Sequence, residues 1–177
     1  MTSADGMPDP ADTTSGAEGV DTCQFVTFRL GEQLYCVEIM SVREIRASSV
    51  ITALPNAPEY VKGVINLRGA IVPIVDLKAR FALDRSPAAQ GEIVVIVSIG
   101  GRLKGLLVDD VSDILTVGRS EIAAIPNADG EPRTHFFAGL ITTGDTMLIV
   151  IALDRLTPSM GNQTNARQVV EPKRSAA

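Results

Sequence analysis

From Gln24 onward the chain is a series of short apolar runs cut by glycine and aspartate. In QFVTFRL (24–30) large apolar residues interleave with polar ones; Gly31-Glu32 interrupts, and LYCVEI (34–39) follows. That pattern predicts a β-hairpin with Gly31 in its turn. GVINLRGAIVPIVDL (63–77) reads as strand, turn at Arg68-Gly69, strand. Pro73 lies inside the second run and has no N–H for a ladder, so it marks an edge or a bulge. EIVVIVSIGG (92–101) and RLKGLLVDDVSDIL (102–115) pair through Gly100-Gly101, and FFAGLITTGDTMLIVIAL (136–153) forms a last hairpin turning at Gly144-Asp145.

The connecting segments are weaker. MSVREIRAS (40–48) is less β-like and is expected to hold a helical turn. ALPNAPEY (53–60) has two prolines and must be loop or short 3-10 helix. DLKARFAL (76–83) and Asp154–Leu156 suit short helical pieces, the latter ended by Pro158. Residues 84–92 and 118–135 read as polar loops.

The two halves look like copies. LYCVEIMSVREI (34–45) aligns with LKGLLVDDVSDI (103–114), placing Val42 on Val111, Glu44 on Asp113 and Ile45 on Ile114. GVINLRGAIVPIVDL aligns with GLITTGDTMLIVIAL (139–153), placing Gly63 on Gly139. Short strands with tight turns favour small barrels, which remove exposed edges. The expected fold is all-β with few short helices: two five-stranded barrels, about 23–83 and 91–158, packed together, with terminal segments free to swap between them. Residues 1–22 and 161–177 are poor in large apolar side chains and are expected to be disordered tails.

Composition narrows the chemistry. The chain has 177 residues, 45% hydrophobic and 21% charged, and no Trp, so the core must be Val, Ile and Leu. Its net charge of −5 argues against nucleic-acid or anionic-membrane partners, which select basic patches. No apolar run approaches a membrane span. The N-terminus is acidic and without an apolar h-region, so a cytoplasmic protein is expected. Two cysteines, Cys23 and Cys36, and one histidine cannot fill a structural zinc site; buried reduced thiols on neighbouring strands are expected instead.

Catalytic signals are poor. His135 is the only histidine and sits in a polar loop. Asp109, Asp110 and Asp113 could serve acid–base or metal chemistry, but read better as the polar side of a short turn after a strand. Phosphate-loop and nucleophile-elbow spacings are missing. Arg68, beside Asn66 and Gly69, could dock a partner's carboxylates through its rigid donor fork, or could be a solvated turn residue; the residues by themselves leave these readings even. Glu44 comes within its reach if the barrel closes.

LGEQLYCVEIMSVREI, LPNAPEYVKGVINLRGAIVPIVDLKARF, GLLVDDVSDIL and GLITTGDTMLIVIALDRL together resemble the CheW chemotaxis coupling proteins, in the right order over almost the whole ordered chain. The same domain type ends CheA kinases and occurs in CheV proteins, but there is room here for neither a kinase nor a receiver domain. The resemblance implies a CheW-like domain over 23–160 with two SH3-like barrels, no catalysis, and no cofactor or metal. It implies a cytoplasmic, monomeric adaptor at chemoreceptor arrays, bridging the receptors' cytoplasmic hairpin tips to the regulatory domain of the CheA histidine kinase. Receptor contacts carry over to Val42, Glu44, Ile45, Gly63, Asn66 and Arg68, with Glu44 and Arg68 acting together. The kinase is expected mainly on the second barrel, with ring-closing contacts on the first. The alternative is an adaptor of a non-motility pathway with a different receptor–kinase pair.

Overall fold

The apolar runs form eleven strands in the computed structural model, which describes residues 21–86, 91–126 and 132–157. They are β1 (Thr22–Leu30), β2 (Gln33–Glu38), β3 (Val42–Ala47), β4 (Val61–Leu67), β5 (Ala70–Asp76), β6 (Ile93–Ile99), β7 (Arg102–Val108), β8 (Asp110–Gly118), β9 (Ile122–Ala123), β10 (Phe137–Thr143) and β11 (Thr146–Ile151). One helical turn, α1 (Leu77–Arg80), follows β5, with the Asp76 carboxylate accepting from the Ala79 N–H at 3.1 Å.

Two sheets result, ordered β8-β1-β2-β11-β10-β9 and β3-β6-β7-β5-β4. Neither follows one half of the sequence. The first hairpin, β1-β2, joins β8–β11 of the second half; the β6-β7 hairpin joins β3–β5 of the first. The parallel pairs β2/β11 and β5/β7 seal each exchange. Val26 faces Ile114 and Phe28 faces Val111 in one sheet, while Val95 faces Ile45 and Val97 faces Val42 in the other. These are the same pairs under the repeat read from sequence. Because each half lends its first hairpin to the other, the two sheets are related by an approximate twofold.

Three apolar cores explain why runs such as IVVIV do not alternate. One core, with Cys23, Phe25, Cys36 and Ile141, belongs to the first sheet; another, with Ile65, Val72, Ile74, Val94 and Ile96, belongs to the second. The third lies between the sheets and takes Val26, Phe28, Tyr35, Val37, Phe81, Val95, Val97 and Leu106. Strands β1, β2, β6 and β7 therefore feed one core with odd positions and another with even ones, and both of their faces need apolar side chains.

Several expectations change. Of MSVREIRAS only Met40 and Ser41 belong to a 3-10 turn (Ile39–Ser41); Val42–Ala47 is a strand, because β6 satisfies its backbone. Asp110 and Asp113 lie on β8 rather than in a turn, since β8 leaves β7 at Asp109 and pairs with β1 in the other sheet. Thr22 opens β1 opposite Gly118, and the 118–135 segment contains β9. Pro73 sits in a strand with neighbours on both sides, but β5 pairs with β7 only from Ile74 onward, so the missing N–H falls where the strand is locally an edge. The expected tails, apart from Asp21 and Thr22, lie outside the described residues, as does Pro158.

Polar fasteners join the halves. Lys78 Nζ on α1 meets Asp109 Oδ1 at 2.7 Å and donates to the Ser86 carbonyl at 2.7 Å. The other carboxylate oxygen of Asp109 accepts from the Gly31 N–H at 2.7 Å. Arg80 is stacked between Tyr60 and Phe136, 4.3 and 4.4 Å from their centroids, and donates Nε to the Leu156 carbonyl at 2.7 Å.

Cys23 and Cys36 are buried and unpaired, on adjacent strands. Burial pushes the Cys36 thiol up from 9.0 to about 12, which keeps it protonated and unreactive at neutral pH. The folded state thus holds a proton that the unfolded thiol loses above pH 9, so this group's contribution to stability falls as pH rises from there toward 12. Alkylation of Cys36 at neutral pH should follow global unfolding: mass spectrometry should show it unmodified in the native protein and modified in denaturant.

Candidate functional site

The bulged edges of the two sheets face each other. In β3 the pairing to β6 jumps between Val42 and Glu44, leaving Arg43 unpaired. In β8 the pairing to β1 jumps at the matching place, so Ser112 and Asp113 oppose Thr27 alone. The buried Thr27 hydroxyl satisfies that bulge, donating to the Asp113 carbonyl at 2.9 Å and accepting from the Asp113 N–H at 3.1 Å. Bulges increase local twist and re-aim side chains at sheet edges. Here they open a groove of about 440 Å³ between the barrels.

The groove is apolar below and charged along its sides. Val26, Ile39, Val42 and Val111 form its floor, and Ile45 and Ile114 stand on its rims, 44% and 53% exposed. Together with the apolar floor these exposed aliphatic side chains make the groove a candidate contact surface. Glu44 lines the groove from β3, and Arg43, Ser112 and Asp113 complete the sides.

Arg68 is brought to this site by its turn. Leu67 pairs with Ala70, and the two loop residues have φ of +50° at Arg68 and +88° at Gly69, the type I′ geometry. Asn66 supports it, its side-chain oxygen accepting from the Gly69 N–H at 2.8 Å. The guanidinium then bonds Glu44 at 2.7 Å, while Arg46 approaches the other carboxylate oxygen at 4.0 Å. Since β3 and β4 are the outer strands of their sheet, the Glu44–Arg68 pair bridges its two edges.

That pair does not explain why an arginine stands there. Arg68 is 77% exposed, and an ion pair so solvated is worth roughly 0–1 kcal/mol. A left-handed conformation costs a residue with a Cβ roughly 1–2 kcal/mol, which the matching turn avoids with Gly144 at φ +57°. The position is strained and exposed, and strained residues of this kind cluster at functional sites. Replacing Arg68 with Asn, which tolerates this conformation, should leave stability in denaturant titration unchanged or raise it by up to about 1 kcal/mol. A larger loss would show that the arginine holds the turn.

Of the residues singled out from sequence, Val42, Glu44 and Ile45 line the groove, Arg68 adjoins it through Glu44, and Asn66 stands behind them, supporting the Arg68 turn. Gly63 does not line it: it is buried in the β4 bulge beneath Thr52, where it shapes the hairpin. Sequence reasoning missed Val111, Asp113 and Ile114 as groove residues. The repeat had already aligned them with Val42, Glu44 and Ile45, but pairing across a shared groove is a tertiary fact. Asp109 and Asp113 are used structurally, by Lys78, Gly31 and the β8 bulge, and His135 is exposed beside Phe136. Among the described residues no cluster of His, Cys, Asp or Glu is placed to hold a metal, and no helix is long and apolar enough to cross a membrane.

Residues 24–160 match the CheW-like domain. The chain belongs to the CheW family. It is 40% identical to Chemotaxis protein CheW of Rhizobium meliloti over 136 residues, 77% of this chain and 88% of that protein. It is 36% identical over 136 residues to Chemotaxis protein CheW of Klebsiella aerogenes, covering 77% and 82%. The crystal structure of the scaffolding protein TtCheW from Thermoanaerobacter tengcongensis superposes with a TM-score of 0.73 at 35% identity, over 79% of this chain and 95% of that one. As a CheW-family protein the chain is a non-catalytic chemotaxis adaptor, and its two sheets are the family's SH3-like halves.

Proposed function

We propose that the groove docks the helical hairpin at the cytoplasmic tip of a chemoreceptor, and that the adaptor couples this receptor to a CheA-type histidine kinase in cytoplasmic arrays. The observation that carries this reading is the groove itself: an apolar floor between two bulged edges, with a strained arginine held next to it by Glu44. An amphipathic helix laid in an apolar groove is a recurrent mode of recognition. Glu44 orients Arg68, whose remaining donors suit carboxylates or C-terminal carbonyls on the docked helices. For the kinase surface the family resemblance favours the second barrel.

The test is receptor-dependent kinase phosphorylation in a reconstituted mixture. Arg68→Ala and Ile45→Glu should fold normally by circular dichroism and reduce receptor-stimulated activity roughly tenfold or more, as loss of a central contact does. Full stimulation by both variants would rule the groove out.

A further inference from the structure

The groove has an approximate twofold, and that limits what its floor can tell a ligand. Val42 and Ile45 on β3 stand where Val111 and Ile114 stand on β8, opposite Val97 and Val95 in one sheet and Phe28 and Val26 in the other, in matching registers. An apolar stripe laid across these four side chains makes similar contacts when the helix is turned end for end; only Val26 and Ile39, deeper in the floor, lack lining counterparts. The charged groups do not share this symmetry. The β3 side carries Arg43, Arg46 and Arg68 against one carboxylate, Glu44, and Arg43 has no ion pair among the described residues. At the matching positions β8 has Ser112 for Arg43, Asp113 for Glu44 and Leu115 for Arg46, and Gly144 answers Arg68. The β3 side is net positive, and the β8 residues described along the groove hold Asp113 and no cation.

We propose that this charge asymmetry, more than the apolar floor, fixes the direction in which a helix lies in the groove: the helix flank bearing Asp and Glu lies along β3, and the flank bearing Lys and Arg lies along β8. The inference rests on the docking function proposed above and adds to it the chemistry of the docked helix. For a helix with its apolar stripe facing down, reversing direction exchanges the flanks, so only one direction meets opposite charges on both sides. Exposed charge contacts are each worth up to about fivefold in affinity, and three or four together set a preference of roughly tenfold or more. Most of this is screened at high salt.

The experiment uses the full chain with labelled isoleucine methyls and a synthetic amphipathic helix of about 18 residues, long enough to be stapled as a helix. It has Glu along one flank, Lys along the other and a nitroxide at its N-terminus. Because Ile45 and Ile114 exchange places under the twofold, a helix bound in one direction broadens one of these methyls strongly and the other weakly, and a helix bound both ways broadens both alike. The expected result is selective broadening at low salt, moving to the other isoleucine when the peptide's flank charges are exchanged, and weakening in Arg43→Ser/Ser112→Arg. Equal broadening of Ile45 and Ile114 by the charge-split helix would overturn the inference while leaving groove docking intact. No response at either methyl would overturn the docking function, and the inference with it.

Discussion

Gly63→Ala is expected to destabilise the protein by about 3 kcal/mol or more, with a matching fall in the midpoint of denaturant unfolding. A Cβ at this position would lie 2.1 Å from the Thr52 carbonyl oxygen and 2.7 Å from its carbon. Both are backbone atoms, fixed because Thr52 and Val64 exchange hydrogen bonds of 2.9 and 2.8 Å. The φ of +149° adds strain for any residue with a side chain. The matching Gly139 gives an internal control. Its Cβ would meet Ile122 Cγ2 at 2.7 Å and the Ala123 oxygen at 2.9 Å, and its φ is not in the positive range. A side-chain methyl yields more readily than a carbonyl, so Gly139→Ala should cost less, on the order of 1–2 kcal/mol. Equal costs would mean that the Thr52 bridge is not the cause.

Asp109→Ala should cost on the order of 3–5 kcal/mol, because it leaves the Lys78 ammonium buried without its counter-charge. Lys78 and Asp109 side chains are only 11% and 15% exposed, and the carboxylate also holds the Gly31 N–H of the β1-β2 turn. Replacing both charges, as Lys78→Met with Asp109→Leu, should recover part of the loss, since two apolar groups leave no unpaired charge. The recovery is incomplete because the Gly31 N–H loses its acceptor. Thermal unfolding of the single and double variants measures the coupling; additive losses would show that the pair contributes nothing of its own. Lys78 lies in the first half of the sequence and Asp109 in the second, so the fastener binds the exchange that builds both barrels.

Much of this architecture was legible because local chemistry dictates it. The glycine turns at Gly31, Arg68-Gly69, Gly100-Gly101 and Gly144 are where the sequence puts them, and the internal repeat appears as matched register in two sheets. The VREI strand was not legible. Its apolar positions, Val42 and Ile45, are three apart, which suits a helical turn, and the bulge at Arg43 shifts the alternation that would have marked a strand. The burial of Gly63 beneath Thr52 was not legible either, because resemblance carries residues without their depth, and burial is set by what packs above them.

The sequence by itself determined the strand-rich class, the turns, the duplication and the family, since each depends on neighbours within a few residues or on a pattern repeated along the chain. Tertiary structure decided the exchange of hairpins and the use of Asp109 as a fastener. It also decided the pairing of Val42, Glu44 and Ile45 with Val111, Asp113 and Ile114 across one groove. These depend on which sheet a hairpin joins, a choice made by burying both faces of β1, β2, β6 and β7 at once, and no local pattern encodes it.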